Sequence, residues 1–338
     1  MAADRIVTVS TVKDKPANIA RFVERNLGSG VDHMIVFLDA NQPRVRSMFE
    51  SHPNVTVFQT GPDYWRGDRP TVVMDRQMVN ANIACTALAG SPSVRWLFHI
   101  DADEALSFDR DALLRLDARA VLLPTLEAVA QREWDGGEVR LFKRIPELDE
   151  LRTMSALGRL DVPHVDSFFR GHSLGKSGVL PAEGVRFRIH TVYELPDRNL
   201  EAVTPPGMHL LHYETCTFED FLARWRDYDP QQAGRRPFKN RRLGAAFHLL
   251  ANDPRVGRAE RERRLGELFD RYVADDPETL RLFDLVVHDP RRPAEPRLLP
   301  ADEVARLESA LDELGGADKS DFRSTLIRGP RYAVRTDA

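Results

Sequence analysis

Three acidic side chains follow a short apolar run in the first third of the sequence. Trp96 to Ile100 consists mostly of large apolar residues, and Asp101, Asp103 and Glu104 come directly after it. The run predicts a strand buried on both faces of a parallel sheet, and ligands of open α/β sheets bind beyond the carboxyl ends of the strands. Acids in that position suit a hard divalent cation, Mg²⁺ or Mn²⁺, and through it a phosphate. This chemistry favours group transfer from a nucleoside diphosphate donor.

Two simpler interpretations stay open for these residue types. Asp-x-Asp is a short motif, and acids at a strand end also occur as solvated residues or as caps of the next helix. In the predicted strand Met208 to Tyr213, His209 and His212 are three residues apart and fall on opposite faces, so they do not form a joint metal site. A single histidine such as His212 is more often structural than metal-bound.

The run from Phe168 to Ser177 contains Gly175-Lys176-Ser177 but does not match a Walker phosphate loop. That motif needs a glycine five positions before Gly175, where the chain has Arg170. A looser loop, in which glycines expose backbone N–H groups and Lys176 faces a phosphate, stays open.

Strands and helices alternate through the first part of the chain. The predicted order is a strand at Ile6 to Val12, a helix from Pro16 to Gly28 or Gly30, a strand at Met34 to Leu38, a helix around Val45 to Phe49 and a strand at Val55 to Phe58. This βαβαβ order is typical of a parallel, Rossmann-like sheet. A polar loop from Gly61 to Pro70 and a helix from Val72 to Leu88 then lead to the acidic strand. In that helix, apolar residues share one face while Arg76, Gln77 and Asn80 make the rest polar.

The later part of the chain is expected to become helical. A strand at Val121 to Val129 contains Glu127, an acid that is either exposed at an edge or directed into a site. Phe218 to Trp225 is an amphipathic helix, with Thr217 as N-cap opposite Asp220. Further helices are predicted at Leu243 to Leu250, Leu265 to Val273 and Val304 to Leu314. The basic cluster from Arg235 to Arg242 is either a solvated loop or a contact for an anionic acceptor or membrane surface.

Composition limits the class of protein. The 338 residues are 42% hydrophobic, enough for a core in one large or two smaller domains, and the net charge of -4 argues against nucleic-acid binding. Cys85 and Cys216 show neither zinc nor disulfide spacing, which suits a reducing cytoplasm. The first residues lack a signal-peptide pattern, and no apolar run approaches the ~20 residues of a membrane span. We expect a cytoplasmic protein with no transmembrane segment, although peripheral contact with the inner membrane surface stays open. The sequence indicates no oligomeric state.

The order of these parts resembles the family-2-like glycosyltransferases with a GT-A fold, over roughly residues 5–228. The resemblance rests on Lys13-Asp14-Lys15 after the first strand, on Gly30-Val31-Asp32-His33 before the strand that ends at Asp39, on Arg76-Gln77, on Phe98 to Glu104, on Gly175-Lys176-Ser177, and on His212-Tyr213 before an amphipathic helix. One departure is Lys-Asp-Lys, where the family usually has Lys-Asn-Glu.

The resemblance implies an α/β fold with a GT-A (Rossmann-like) mixed sheet flanked by helices. Residues 1–216 would form the nucleotide-sugar-binding and catalytic domain, and 217–338 a helical region packed on it. It also implies Mn²⁺ or Mg²⁺, a nucleotide-sugar donor, and a glycan, lipid-linked or small-molecule hydroxyl acceptor. The implied metal ligands are Asp101, Asp103 and His212, and the implied donor-binding residues are Thr11, Lys13, Asp39, Arg76, Asp101 and Lys176.

The chemistry of sugar transfer fits these residues. A cation and Lys176 would stabilise the charge that develops on the departing diphosphate. An inverting enzyme also needs a carboxylate to take the acceptor proton, for which Glu127 and Glu183 are the candidates, whereas a retaining enzyme needs none there. A metal-dependent nucleotidyltransferase is an alternative, but it would want a glycine-rich loop after the first strand, and this chain has none there. A second alternative is a non-catalytic nucleotide-sugar or glycan-binding module.

Overall fold

The computed structural model describes residues 3–160, 168–226 and 241–324. The strands are β1 (Arg5–Val12), β2 (His33–Leu38), β3 (Val55–Gln59), β4 (Val94–His99), β5 (Glu104–Ser107), β6 (Ala120–Leu123), β7 (Thr125–Ala128), β8 (Leu141–Lys143), β9 (Lys176–Val179), β10 (Val185–Phe187), β11 (Val192–Glu194), β12 (Arg198–Asn199), β13 (His209–His212) and β14 (Val286–His288).

Helices lie between these strands along the chain and after the last strand. They are α1 (Pro16–Gly28), α2 (Pro43–Phe49), α3 (Pro62–Trp65), α4 (Val73–Ala87), α5 (Arg110–Leu114), α6 (Leu148–Ala156), α7 (Phe218–Arg226), α8 (Arg241–Asn252), α9 (Arg258–Tyr272), α10 (Pro277–Leu282) and α11 (Ala301–Gly315), with 3₁₀ turns at Asp135–Gly137 and Lys319–Phe322. None of the helices among the described residues is long and apolar enough to cross a membrane.

The first sheet has six strands in the order β3-β2-β1-β4-β9-β6. Strands β3, β2, β1 and β4 are parallel, as the βαβαβ pattern predicts, and β9 runs antiparallel between β4 and β6. The sheet is therefore mixed. Because parallel strands end at the same edge, the residues after β1, β2 and β4 meet there.

Side-chain alternation divides the first sheet between two apolar cores. On one face, Ile6, Val36 and Phe98 pack with α1 and α2. On the other face, Val9 and Phe37 pack with α4 and α11. Successive residues of a strand point to opposite faces, so continuous apolar runs such as Met34 to Leu38 serve both layers.

Helix α4 is buried on nearly all sides, which corrects the one-sided pattern expected from the sequence. Its buried polar residues have specific partners: Asn80 donates to Thr11 Oγ1 at 2.8 Å, and Asn82 donates to the backbone oxygen of Phe322 at 2.8 Å. Val72, the first residue of the predicted helix, is 37% exposed and precedes α4. The helix lies between the first sheet and α11, and its polar residues are therefore enclosed rather than solvated.

A second sheet has the order β14-β8-β7-β13-β5. The single strand predicted at Val121 to Val129 is wrong, because the chain divides at Pro124 into β6 in the first sheet and β7 in the second. Proline has no N–H group to continue a ladder. Glu127 consequently lies on an internal strand of the second sheet, between β8 and β13.

The C-terminal part is not wholly helical. Helices α7, α8 and α9 share an apolar cluster that includes Phe221, Phe247 and Phe269, and Thr217 with Asp220 forms the expected cap of α7. Strand β14 joins the second sheet, and α11 packs on α4 beside the first. Residues after 216 thus contribute a strand to the second sheet and a helix that packs beside the first sheet. The basic cluster from Arg235 to Arg242 lies outside the described residues, save for the backbone of its last two positions in α8.

Candidate functional site

The carboxyl ends of β1, β2 and β4 gather the residues predicted to bind a donor. Thr11 lies near the end of β1 and is buried, whereas Lys13 comes directly after β1 and is exposed. Asp39 comes directly after β2. Two consecutive residues of α4 join this edge together: Arg76 binds Asp39, and Gln77 donates to Asp101 Oδ1 at 2.5 Å. The predicted nucleotide-binding residues therefore lie along one edge of the sheet.

Asp39 is held in a buried ion pair. Its carboxylate accepts from Arg76 Nε at 2.8 Å and Arg76 Nη2 at 2.7 Å, and from Arg69 Nη2 at 3.0 Å. Both side chains of the Arg76 pair are less than a tenth exposed, whereas Arg69 is 46% exposed. The two-pronged geometry fixes the plane of the guanidinium group. A ligand at this edge would meet a neutralised acid and the exposed Arg69.

Lys176 does not lie on a phosphate-binding loop, which corrects the sequence prediction. It is the first residue of β9, fully buried, and its Nζ donates to Asp101 Oδ2 at 2.8 Å. Gly175, at φ +71°, makes the turn before it, and a Cβ there would lie 2.2 Å from the carbonyl oxygen of Leu123. The geometry shows Lys176 as the partner of Asp101 and not as a cation facing the open edge.

The ion pair between Lys176 and Asp101 determines the charge of both groups. Burial by itself would raise the pKa of Asp101, but the Lys176 ammonium lowers it well below its usual range. Burial likewise would lower the pKa of Lys176, but Asp101 and Glu104 raise it. Both groups are therefore charged at neutral pH. Because Asp101 is engaged by Lys176 and Gln77, it is less available to a metal ion than the sequence predicts.

Four ionisable residues lie in register across neighbouring strands of the second sheet. Glu104 of β5 is opposite His212 of β13, His212 is opposite Glu127 of β7, and Glu127 is opposite Lys143 of β8. Residues directly opposite each other share a face of the sheet. All four are buried. This row brings His212 to the acids that follow β4.

His212 faces two carboxylates at the open end of this row. Its Nε2 lies 3.5 Å from Asp103 Oδ2 and 3.4 Å from Glu214 Oε2, while the other Glu214 oxygen pairs with Arg224. The ligand atoms of these three residues lie within 4.8 Å of one another. Asp103 is 45% exposed, which leaves the group accessible from solvent. We call Asp103, His212 and Glu214 the open set.

The environment of His212 favours a positive charge. Burial would lower its pKa, but Asp103, and after it Glu104 and Glu127, raise the pKa of His212 to about 9. Its Nδ1 has no hydrogen-bond partner among the described residues. Two carboxylates and an imidazole are a ligand set that Mn²⁺ accepts, so the residues present fit a divalent cation that takes the place of the proton.

A second group of possible ligands lies deeper, and we call it the buried set. His172 Nε2 is 2.7 Å from Glu104 Oε1, and the His172 and His212 rings are 4.9 Å apart between centroids. The ligand atoms of Glu104, His172 and His212 again lie within 4.8 Å of one another. Glu104 Oε2 accepts from the backbone N–H of Asp101 at 2.7 Å, which ties this group to the end of β4.

Glu127 supports the site from behind, which corrects its prediction as a catalytic base. Its two oxygens accept from the backbone N–H groups of Arg170 at 2.9 Å and Gly171 at 2.7 Å, and Lys143 Nζ is 3.3 Å away. It is 2% exposed, so an acceptor hydroxyl has no path to it. Lys143 continues the network to Asp275 at 2.7 Å. Glu127 therefore positions the segment that lies against His212.

Glu183 lies at the opposite edge of the first sheet from the acids. Strand β9 runs antiparallel to β4, so Lys176 is at the Asp101 end and the chain beyond Val179 is at the other end. Glu183 follows there in an exposed turn before β10. The structure thus does not bring this candidate base to the site. His209 and His212 do not share a ligand group, as their spacing on the strand predicts.

Three residues of the two sets were absent from the predicted metal site. Glu214 follows His212 by two positions, and residues two apart along an extended chain share a face, so this spacing was a usable signal. Glu104 is part of the acidic motif, but nothing in the sequence separates its role from that of Asp101. His172 is far from Glu104 and His212 along the chain, and only the path of the segment before β9 brings it close to them.

Comparison with known proteins adds no assignment. No protein-family model and no curated protein matches this chain. Among solved structures it is similar to the crystal structure of HddC from Yersinia pseudotuberculosis, at 12% sequence identity, covering 64% of this chain and 97% of that chain with a TM-score of 0.33. A TM-score this low supports no argument about fold or function, so the assignment rests on the site itself.

Proposed function

We propose that this protein is a metal-dependent glycosyltransferase of the GT-A type, which moves a sugar from a nucleoside-diphosphate donor to a hydroxyl acceptor. The observation that supports this most is the position of the open set, Asp103, His212 and Glu214, beside the carboxyl end of β4. Ligands of α/β sheets bind at that edge. The resemblance of the sequence motifs to family-2-like glycosyltransferases points the same way.

The spacing of the edge fits a nucleoside diphosphate. Asp39 follows β2 and Asp101 follows β4, with β1 between them. Two inter-strand spacings separate these positions by about 10 Å. A nucleoside near Asp39 and Arg69 can therefore extend its diphosphate towards Asp103. Lys13, exposed after β1, lies between the two ends and offers a positive charge to that diphosphate.

The open set would hold the cation, and the cation would supply charge stabilisation for the diphosphate oxygens. Transfer breaks the bond between the anomeric carbon and the diphosphate oxygen, and the bonding electrons stay on that oxygen. The acceptor oxygen forms the new bond to the anomeric carbon, and its proton passes to the departing diphosphate or to solvent water. Asp101 stays ionised beside Lys176 and accepts a hydrogen bond from Gln77, so the charges of Asp101 and Lys176 cancel and their side chains are held in place.

Donor hydrolysis and nucleotide binding test this proposal together. The full-length protein is incubated with UDP-, GDP- and dTDP-sugars in Mn²⁺ or in EDTA, and release of the nucleoside diphosphate is measured. Calorimetry then compares binding of the matching diphosphate under the same two conditions. We expect release and tight binding only in Mn²⁺, because Asp103 and Glu214 of the open set repel a bare diphosphate.

Asp103→Asn provides the variant and Asp149→Asn its control. Asp149 is 89% exposed on α6, where its carboxylate pairs with Arg152, so its loss should leave release unchanged. Release retained in Asp103→Asn sinks the metal role of the open set. Pyrophosphate formed from a nucleoside triphosphate and a sugar phosphate would identify a nucleotidyltransferase instead. Metal-dependent binding with no release from any donor would identify a binding module.

A further inference from the structure

The buried set has the composition of a transition-metal site. Glu104, His172 and His212 contribute one carboxylate and two imidazoles, with ligand atoms within 4.8 Å of one another. Glu104 is fully buried, His212 is 3% exposed and His172 is 24% exposed. The Nδ1 atoms of His172 and His212 have no hydrogen-bond partner within the described ranges. Buried polar atoms without partners are uncommon and call for a reason.

The backbone beside His212 is shaped to bring His172 close. A Cβ built on Gly171 would lie 1.9 Å from His212 Cε1 and 2.4 Å from its Nδ1. Only glycine therefore lets this segment touch the ring. Glu127 holds the segment in place through the N–H groups of Arg170 and Gly171. The backbone one residue before His172 is thus held between Glu127 and the His212 ring.

We propose that Glu104, His172 and His212 form a second metal site that selects Zn²⁺ or Co²⁺ over Mg²⁺. Imidazole ligands suit zinc and its neighbours, whereas Mg²⁺ prefers oxygen ligands and keeps its waters. Glu104 Oε1 and His172 Nε2 lie 2.7 Å apart, the distance of a hydrogen bond, so the two atoms must separate by about 0.5 Å to bind one ion at about 2.0–2.2 Å each. Lys176 stands 3.9 Å from the other Glu104 oxygen and leaves Oε1 for the metal.

His212 belongs to both the open set and the buried set. Zn²⁺ bound in the buried set therefore draws on a residue that the open set uses, and we expect Zn²⁺ to weaken Mn²⁺ binding. This competition rests on the open set of the proposed function, whereas the buried site stands without it. The two are distinguishable, because metal binding is measured directly and needs neither donor nor turnover.

X-ray absorption of the full-length protein with one equivalent of Zn²⁺ gives the first test. Two imidazole ligands are expected for the buried set, against one for the open set. In parallel, Co²⁺ is titrated into the protein, and the visible absorption bands of the bound ion report a low coordination number with nitrogen and oxygen ligands. The wild-type chain is sufficient for both measurements, so a variant that fails to fold does not decide the outcome.

Variants then separate the two sets. His172→Asn should weaken Zn²⁺ binding by more than ~100-fold, above the 10–100-fold typical of residues that only support a ligand. Asp103→Asn should not weaken Zn²⁺ binding, because Asp103 holds a competing proton on His212, whereas it should weaken Mn²⁺ binding, measured by electron paramagnetic resonance. His209→Asn is the matched control, since His209 lies on the opposite face of β13 and should affect neither ion.

The expected pattern is two imidazoles on zinc, loss of Zn²⁺ binding in His172→Asn alone, and displacement of Mn²⁺ by Zn²⁺. One imidazole or none on zinc would overturn the proposal. So would wild-type Zn²⁺ affinity in His172→Asn, or an equal loss of Zn²⁺ binding in Asp103→Asn. Intact Zn²⁺ binding in a protein that shows no metal-dependent nucleotide binding would leave the buried site standing and count against the glycosyltransferase alone.

Discussion

Replacing Gly171 by alanine tests whether the Gly171–His212 contact organises the site. The Cβ of alanine would stand 1.9 Å from His212 Cε1, whereas carbon atoms in ordinary contact are about 3.5–4.0 Å apart. The backbone of Gly171 has no left-handed conformation in this structure, so the substitution is opposed by contact alone. Either the ring or the backbone must therefore move by about 1.5 Å or more.

The surroundings leave little room for that movement. His212 is fixed in the second sheet between β5 and β7, and the Gly171 N–H is held by Glu127 Oε2 at 2.7 Å. Overpacking of this kind costs about 1–3 kcal/mol. With about 2–4 °C lost per kcal/mol in a domain of moderate size, Tm should fall by about 2–12 °C. Metal binding should suffer more, because a site tolerates only about 0.5 Å of displacement.

Differential scanning calorimetry and Mn²⁺ titration measure the two effects on the same sample. Gly28→Ala is the control, since a Cβ at the end of α1 meets nothing within 4 Å among the described residues. We expect it to leave Mn²⁺ affinity unchanged and to keep or slightly raise Tm. Wild-type Tm and wild-type Mn²⁺ affinity in Gly171→Ala would refute the contact as an organising feature. A lower Tm with unchanged Mn²⁺ affinity would refute its link to the metal.

Three other outcomes follow from charge and burial. Asp103→Asn should weaken Mn²⁺ binding by more than ~100-fold with Tm unchanged, because this exposed carboxylate is a ligand and not part of the core. A matched fall in Tm and affinity would indicate a structural role. At pH values below about 9, Mn²⁺ affinity should rise by up to ~10-fold per pH unit. The reason is that the metal must displace the proton on His212, which burial disfavours but Asp103 stabilises, so that the pKa is raised to about 9. Equal affinities in calorimetry at pH 6.5 and pH 8 would contradict this prediction. Glu127→Gln should lower the free energy of unfolding by about 3 kcal/mol in denaturant titration, since it removes a buried charge beside Lys143, whereas Asp149→Asn should change it by less than about 0.5 kcal/mol.

The role of Lys176 shows where sequence reasoning reached its limit. The Gly-Lys-Ser segment marks the residue as a site candidate and suggests a loop that faces a phosphate. In the structure it begins β9 and pairs with Asp101, 75 residues earlier in the chain. A buried lysine needs a carboxylate partner, and which carboxylate it finds depends on the order of strands in the sheet. No local pattern contains that order.

Glu127 illustrates the same limit in another way. An acid within an apolar strand pattern is compatible with an exposed edge, a reactive site or a buried structural pair. Pro124 separates β6 from β7, so β7, which carries Glu127, lies in the second sheet between β8 and β13. Its position beside Lys143, Arg170 and Gly171 follows from the pairing of β7 with β8 and from a segment some forty residues later.

The sequence by itself determined the alternation of strands and helices up to β4, the acids at the end of β4, the cap formed by Thr217 and Asp220, and the opposite facing of His209 and His212. These features arise from contacts between near neighbours, whose periodicity of 2 or 3.6 residues is written directly in the chain. Only the tertiary structure decided that His172 and Glu214 join His212, that Asp101 is engaged by Lys176, and that Glu183 lies at the far edge. Those pairings depend on strand order and register, through which residues distant in the chain become neighbours across a sheet.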